Sequence, residues 1–496
     1  MCRCYEILLL YLLKSFSQYI MKTLIHSIWT LKTNLEDINN KVMEFLDVQS
    51  IVYDSIYSGT YKIEGNKIHI DFLDYQFEGY WGDECLFGYI FKNDSTDEVN
   101  CEFECKSYMS DSGIVIDYKV PDKNDEIPFL IHEIYHLIRD YRIDFNDGSR
   151  ITKSRIQSWI EQFSVEDRVV ILNEILNIFS KRYLSRDSVL IFWNTILSKL
   201  SEKYNFSSVK DFLQNCCFVR IQQKGKSQDV LLDILDSYIK NKFDISIDEC
   251  GSLSKKYSIY VDDVLCTGLT LKNDITQWSK ESFSLNKTNY DAISDGSTNL
   301  ICCYIFIHKK NYYKKVAEMR YKGLGEIADS MSAWACWIDN SIEKDSKLQV
   351  IIPIQDLSNS KVVTYENEVK KKVETYNQER GYGDTKEEFY RDSSIPKVEE
   401  FFTSDIIRNK IEVIFLEKGI DILEKANVNN DRIRALGYSI PSHKNFGFGA
   451  LCFTWRSVPN NAPLVFWYDG GGFLPLFDVR RGRQSVLPNI TFNNIV

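Results

Sequence analysis

Residues 257–270, Tyr-Ser-Ile-Tyr-Val-Asp-Asp-Val-Leu-Cys-Thr-Gly-Leu-Thr, constrain the fold more than any other stretch. An apolar, β-branched run ends in Asp262-Asp263, and a short loop closes on Thr267-Gly268 and Thr270. Leu271 to Trp278 then has helical spacing. Strand, paired carboxylates, hydroxyl-rich turn and helix start make an order that suits a phosphorylated sugar. Unpaired N–H groups at such a turn, at the positive end of a helix dipole, attract phosphate. Hydroxyls of Thr267 and Thr270 add donors, and Gly268 lets the backbone come close. Two adjacent acids at a strand's carboxyl end suit a polyhydroxyl ring or a magnesium ion bridging it. This reading requires an open hollow beside the acids. The plainer alternative is that the acids only cap a strand-to-helix turn.

A second segment has the same grammar. Cys216 to Gln222 is a compact apolar run, Lys224-Gly225-Lys226-Ser227 follows it, and Asp229 to Ile239 carries Leu and Ile at helical spacing. The lysines suit a departing anion and Gly225 a tight backbone, although a basic turn between strand and helix is ordinary. Gly-Lys-Ser is not a nucleotide-triphosphate loop here. That motif needs a glycine five residues before Gly225, where Arg220 stands.

The Asp262–Thr270 segment resembles the phosphoribosyl-pyrophosphate signature of type I phosphoribosyltransferases. The resemblance implies that Asp262 and Asp263 hold ribose hydroxyls, and that Cys266, Thr267, Gly268, Leu269 and Thr270 cradle the 5′-phosphate. It puts Lys224, Gly225, Lys226 and Ser227 in the loop that meets pyrophosphate, with Lys224 acting on the leaving group. Leu269 departs mildly from the pattern, since that position is often glycine. Trp159 to Phe163, Arg434 to Tyr438, Phe446 to Ala450, Pro459 to Trp467 and Leu474 to Phe477 extend the likeness. In that order they resemble the phosphoribosyltransferase-like proteins of bacterial conflict, or anti-phage defence, loci. The resemblance spans Trp159 to Arg480 and implies a phosphoribosyl compound or nucleotide as ligand, Mg2+ as cofactor and other proteins of a defence locus as partners. It implies either chemistry at the ribose anomeric carbon or nucleotide sensing without turnover.

Bulk properties set the frame. The chain has 496 residues, 44% hydrophobic and 14% aromatic, which supports ordered structure in two to four domains. A net charge of −10 argues against sequence-independent nucleic-acid binding, which depends on many Lys and Arg contacts to phosphate. The 13 cysteines lack paired-knuckle spacing, so reduced thiols in a cytoplasmic protein are expected. Cys101 and Cys105 have no second pair to complete a zinc set. Ile7 to Leu13 is too short an apolar run to cross a bilayer, and no small-residue cleavage site follows it. Met21 is an alternative start, which would make residues 1–20 spurious.

The expected class is α/β: a mostly parallel, phosphoribosyltransferase-like sheet core with an N-terminal α+β region and a C-terminal β-rich region. Residues 21–125 read as a β-rich domain, with Ser50 to Tyr118 an antiparallel sheet punctuated at Gly59, Gly65-Asn66, Gly79 and Asn93-Asp94. Residues 126–205 read as a helical connector, with helical spacing from Ile127 to Arg142 and from Ile156 to Leu200, interrupted near Asp187. Residues 206–330 read as the core, with Ile301 to Ile307 its next clear strand, and 331–496 as an α+β cover. Phe453, Trp455, Phe466, Trp467 and Phe473 call for burial there, and Arg480, Arg481 and Arg483 form a basic cluster.

A rival reading is metal-based. His132-Glu133-Ile134-Tyr135-His136 matches the H-E-x-x-H pattern, whose two imidazoles share a helix face and bind zinc while Glu133 activates water. A third ligand is needed, for which Glu161 or Glu166 is placed plausibly in sequence. An amphipathic core helix explains the same residues.

Overall fold

The computed structural model describes eight strand segments between residues 28 and 107, residues 125–143, and residues 150–479 apart from residue 429. Residues 1–21 and the cluster Arg480, Arg481 and Arg483 lie outside the described residues. The chain divides into two compact units, Met1–Glu133 and Ile134–Val496.

The first unit is a closed antiparallel barrel of eight strands, from β1 (Ile28–Thr33) to β8 (Cys101–Ser107). Each strand pairs with its sequence neighbour, and β1 pairs back onto β8 through registers such as Leu31 with Cys105. The expected antiparallel sheet is therefore present but closed, which leaves no exposed edge. Gly59 and Gly79 are not turns. Gly59 lies opposite Ile51 and Gly79 opposite Gly88, inside the ladder, where a missing side chain permits a sharp bend. Gly65-Asn66 and Asn93-Asp94 lie outside the described residues.

Helix α1 (Glu126–Ile138) follows. Within the second unit, α2 (Lys153–Ile160), α3 (Arg168–Arg182) and α4 (Arg186–Lys203) come next. The break expected near Asp187 falls at the two-residue strand β9 (Tyr183–Leu184), where Ser185 caps α4 by accepting from the Ser188 N–H. A short helix α5 (Val209–Gln214) leads into the sheet.

The core sheet holds β10 (Cys216–Val219), β11 (Tyr257–Leu265), β14 (Asn299–His308) and β15 (Ser332–Ile338), in that spatial order and all parallel. Helices α6 (Ser227–Phe243), α7 (Leu269–Trp278), α8 (Asn289–Ser294), α9 (Lys309–Tyr321) and α10 (Gly325–Ser330) form the crossovers. A small hairpin of β12 (Ser282–Ser284) and β13 (Lys287–Thr288) sits between α7 and α8. Leu300, Cys302 and Tyr304 of β14 share one core cluster with Leu271 and Ile275 of α7 and Val316 and Met319 of α9. From Leu300 to His308 every residue of β14 is buried, as expected of a parallel strand covered on both faces. The expected mostly parallel α/β core is what the chain forms.

In the C-terminal part, the long elements are helices α11 (Ser360–Glu379) and α12 (Asp405–Ala426). Strand among the described residues there is limited to the two-residue segments β16 (Ile433–Arg434), β17 (Gly437–Tyr438) and β18 (Phe453–Thr454), with a single-turn helix α13 (Leu464–Trp467). The expected β-rich character is thus confined to short pairs. The aromatics are buried as expected: Phe453 packs on Phe466 and Phe477, and the Trp159 indole N–H donates to the Val465 carbonyl at 2.8 Å. No described helix is long and apolar enough to cross a membrane.

Trp159 is fully buried, so Trp159→Ala leaves a cavity and leaves the Val465 carbonyl only the longer bond from the Leu476 N–H, at 3.4 Å. It is expected to cost about 3–5 kcal/mol, read from urea unfolding of the full chain. A cost below about 1 kcal/mol would show that this contact does not hold the second unit together.

Candidate functional site

Strand β11 carries the acid pair, but it does not stop there. Asp262 lies opposite Tyr304, and the ladder runs on through Val264 opposite Phe306 to Leu265 opposite Ile307. The longer neighbour β14 offers those partners, so the acids sit inside the strand's last turns of pleat. At the strand end the Leu265 carbonyl accepts from His308 Nδ1 at 2.8 Å. Burial pushes His308 down to about 4, so its ring is neutral and ties the ends of β11 and β14 together.

The loop then turns into α7 at Gly268. Its φ of +73° is the left-handed region that favours glycine, and it is the N-cap of α7, with no side chain capping the helix. A Cβ at this position would stand 2.5 Å from Lys315 Cγ, so there is also no room for one. Cys266 is buried, which pushes its thiol up, while Thr267 is half-buried and Leu269 and Thr270 are exposed at the first turn of α7. Leu269 lies in helical backbone, so its branched side chain brings no strain.

The other loop folds back on the acids. Ser227, the first residue of α6, donates its hydroxyl to Asp262 Oδ1 at 2.7 Å. Gln222 Nε2 donates to Asp262 Oδ2 at 3.1 Å and to Asp274 Oδ2 at 2.9 Å, and the Tyr260 hydroxyl donates to Asp274 at 2.7 Å. Gln228 fixes the loop from behind: its Oε1 accepts from the N–H groups of Ile221 and Gln222. Gly225 takes φ +83° and donates its N–H to Asp229 at 2.8 Å. Lys224 and Lys226 are exposed, at the N-terminal end of α6.

Asp262 and Asp263 differ in surroundings. Asp262 is buried, and burial first, then the charge of Asp263, raises it to about 7 despite the donors around it. Asp263 is half-buried beneath the C-terminal segment, with Arg456 at 3.7 Å and the Ser457 hydroxyl at 3.4 Å. Burial and the neighbouring Asp262 and Asp274 push the Tyr260 phenol up. Ser227 and Gln222 bond Asp262, Arg456 and Ser457 approach Asp263, and the cavities of about 470 and 440 Å3 are lined by neither acid.

The structure therefore brings together Asp262, Asp263 and Ser227, and places Gly268 at the adjoining helix start. Gln222, Tyr260, Asp274, Arg456 and Ser457 were missed by the sequence reading. Asp274 had a usable signal, in the second turn of an amphipathic helix directly after the motif. Arg456 had none, lying 193 positions from its partner in an unrelated aromatic stretch.

His132, Glu133 and His136 all lie buried on α1. Glu161 and Glu166, the expected third ligands, are both exposed. Among the described residues no group of three His, Cys, Asp or Glu side chains is arranged to hold a metal ion.

A parallel sheet whose strand carries two acids into a glycine-capped helix defines a phosphoribosyltransferase-like α/β domain. The PRTase-CE family model matches residues 156–479, roughly two-thirds of the chain, and the chain belongs to that family. No curated protein gives a match.

Two outcomes follow from this geometry. Asp262 ionises near 3.8 when unfolded and near 7 when folded, so the folded chain holds this proton more tightly. Its contribution to stability is present below pH 4 and is lost as pH rises toward 7. Asp262→Asn should therefore gain thermal stability relative to the parent between pH 4 and 7 and gain no more above it. A difference independent of pH would mean that the acid is not held protonated. Gly268→Ala should cost about 1–3 kcal/mol in chemical unfolding, from backbone strain and the displaced Lys315 stem.

Proposed function

We propose that this domain binds a 5-phosphoribosyl compound and works at its ribose anomeric carbon. The observation that carries the reading is the side-chain-free N-terminus of α7 at Gly268, reached within six residues of the acid pair. The 5′-phosphate would take the N–H groups and hydroxyls of Cys266 to Thr270, at the positive end of α7. The ribose hydroxyls would take Asp262 and Asp263, replacing the donors Ser227, Gln222 and Ser457. Arg456 would give up its contact with Asp263 in the same exchange. Carboxylates at this place also favour the positive charge that grows on a sugar ring as the anomeric bond breaks. Lys224 and Lys226, on the facing loop, would stabilise the departing pyrophosphate.

The donor set suits Mg2+. Two adjacent carboxylates, one of them buried and short of countercharge, are hard oxygen ligands. A bound Mg2+ would neutralise charge on the pyrophosphate, and Mg2+ commonly takes its remaining ligands from water and phosphate.

On the resemblance of the outlying segments, the reading extends to a role in a bacterial defence locus, in the cytoplasm and alongside other proteins of that locus. Phage challenge of cells carrying the chain or its Asp263→Asn form would test that extension. Loss of protection in the variant supports it, and equal survival counts against it.

Calorimetry with phosphoribosyl pyrophosphate and Mg2+ tests the ligand. Asp263→Asn should weaken binding at least tenfold, about 1.4 kcal/mol. No binding to the parent chain would overturn the proposal. Chromatography of the bound ligand then separates two activities: released pyrophosphate marks turnover, and unchanged ligand marks a sensor. The contacts of Arg456 and Ser457 with Asp263, and of Ser227 and Gln222 with Asp262, favour the sensor as the second reading.

A further inference from the structure

The cleft between α7 and α9 holds a cluster of charge that the acid pair does not use. Lys272, Asn273, Lys280, Met319, Lys322 and Leu324 are among the residues lining its cavity of about 470 Å3. No acidic side chain lines it among the described residues. The Lys272 side chain is only 18% exposed, and its ammonium lies 3.7 Å from Glu318. That carboxylate is already engaged, because Lys315 donates to its two oxygens at 2.8 and 2.9 Å. One acid thus serves two ammonium groups, while Lys322 crowds Lys272. Burial, and then Lys322, push the Lys272 ammonium below the usual lysine range. In a chain of net charge −10, this is a local excess of cation in a partly enclosed space. Gathering like charges there is unfavourable, and an arriving anion relieves it.

We infer that this cleft binds a phosphate-bearing small molecule. The phosphate would lie between Lys272 and Lys322, with Lys280 and the Asn273 amide at its rim. Leu324, with Met319 buried behind it, gives the cleft an apolar wall against which an attached ring can rest. The cleft is lined by neither Asp262 nor Asp263 and by none of their hydrogen-bond partners, so the inference stands independently of the phosphoribosyl reading.

The test is calorimetry on the full chain at physiological salt, without added divalent cation. The probes are inorganic pyrophosphate, ATP and a short single-stranded DNA. ATP should bind the parent and Asp263→Asn alike. Affinity should fall at least tenfold in the double variant Lys272→Gln/Lys322→Gln. Lys322→Gln alone, at an exposed position, should weaken binding without disturbing the fold. Pyrophosphate binding as tightly as ATP assigns the site to phosphate alone, and tighter ATP adds the apolar wall; both support the cleft. Unchanged ATP affinity in the lysine variants, binding of neither pyrophosphate nor ATP, or DNA binding more tightly than ATP would each overturn it.

Discussion

A buried carboxylate must be given hydrogen bonds, and the candidate site is organised around meeting that demand for Asp262. Its donors come from three places: the Ser227 hydroxyl at the start of α6, the Gln222 amide in the preceding loop, and the Asp263 N–H beside it. Satisfying one acid therefore fixes the first loop against β11. Gln228 reinforces this, reaching the Val261 carbonyl while holding Ile221 and Gln222. Two loops 40 residues apart in sequence become one rigid constellation. Burial outweighs these donors, so the carboxyl holds its proton up to about pH 7.

What the sequence reveals here follows from how local each feature is. The acid pair, the Gly268 turn, the amphipathic α7 and the apolar β14 are all legible, because neighbouring residues decide them. The extension of β11 to Leu265 was not, since it depends on Phe306 and Ile307 offering ladder partners. Gly59 and Gly79 read as turns because glycine usually punctuates strands, and only pairing across the barrel shows otherwise. Barrel closure was illegible for the same reason: β1 and β8 meet from opposite ends of that unit. The cover over Asp263 is the extreme case. Arg456 and Ser457 come from a stretch whose composition points only to burial.

The C-terminal part shows how an aromatic-rich sequence can be ordered with little sheet. Backbone carbonyls that a strand neighbour would take are instead given to buried arginines. Arg434 donates to the carbonyls of His443, Asn445 and Pro441, and Arg391 to that of Ile395. Arg408 reaches the carbonyls of Leu348 and Val350 while pairing with Glu399 and Glu412. Hydrophobic patterning reveals the burial of such a region, but not the guanidinium groups that replace its ladder.

The indole of Trp159 and the carbonyl of Val465 are separated by 306 residues along the polypeptide. Arg155 likewise reaches the carbonyls of Pro475 and Leu476. During synthesis, the early helices of this unit must wait, apolar faces uncovered, until those late residues have left the ribosome. In the barrel each strand can pair with its sequence neighbour as it emerges, and only the closure of β1 onto β8 waits for the end of that unit. A nascent chain of this protein thus has a long interval in which chaperone protection matters most for its second unit.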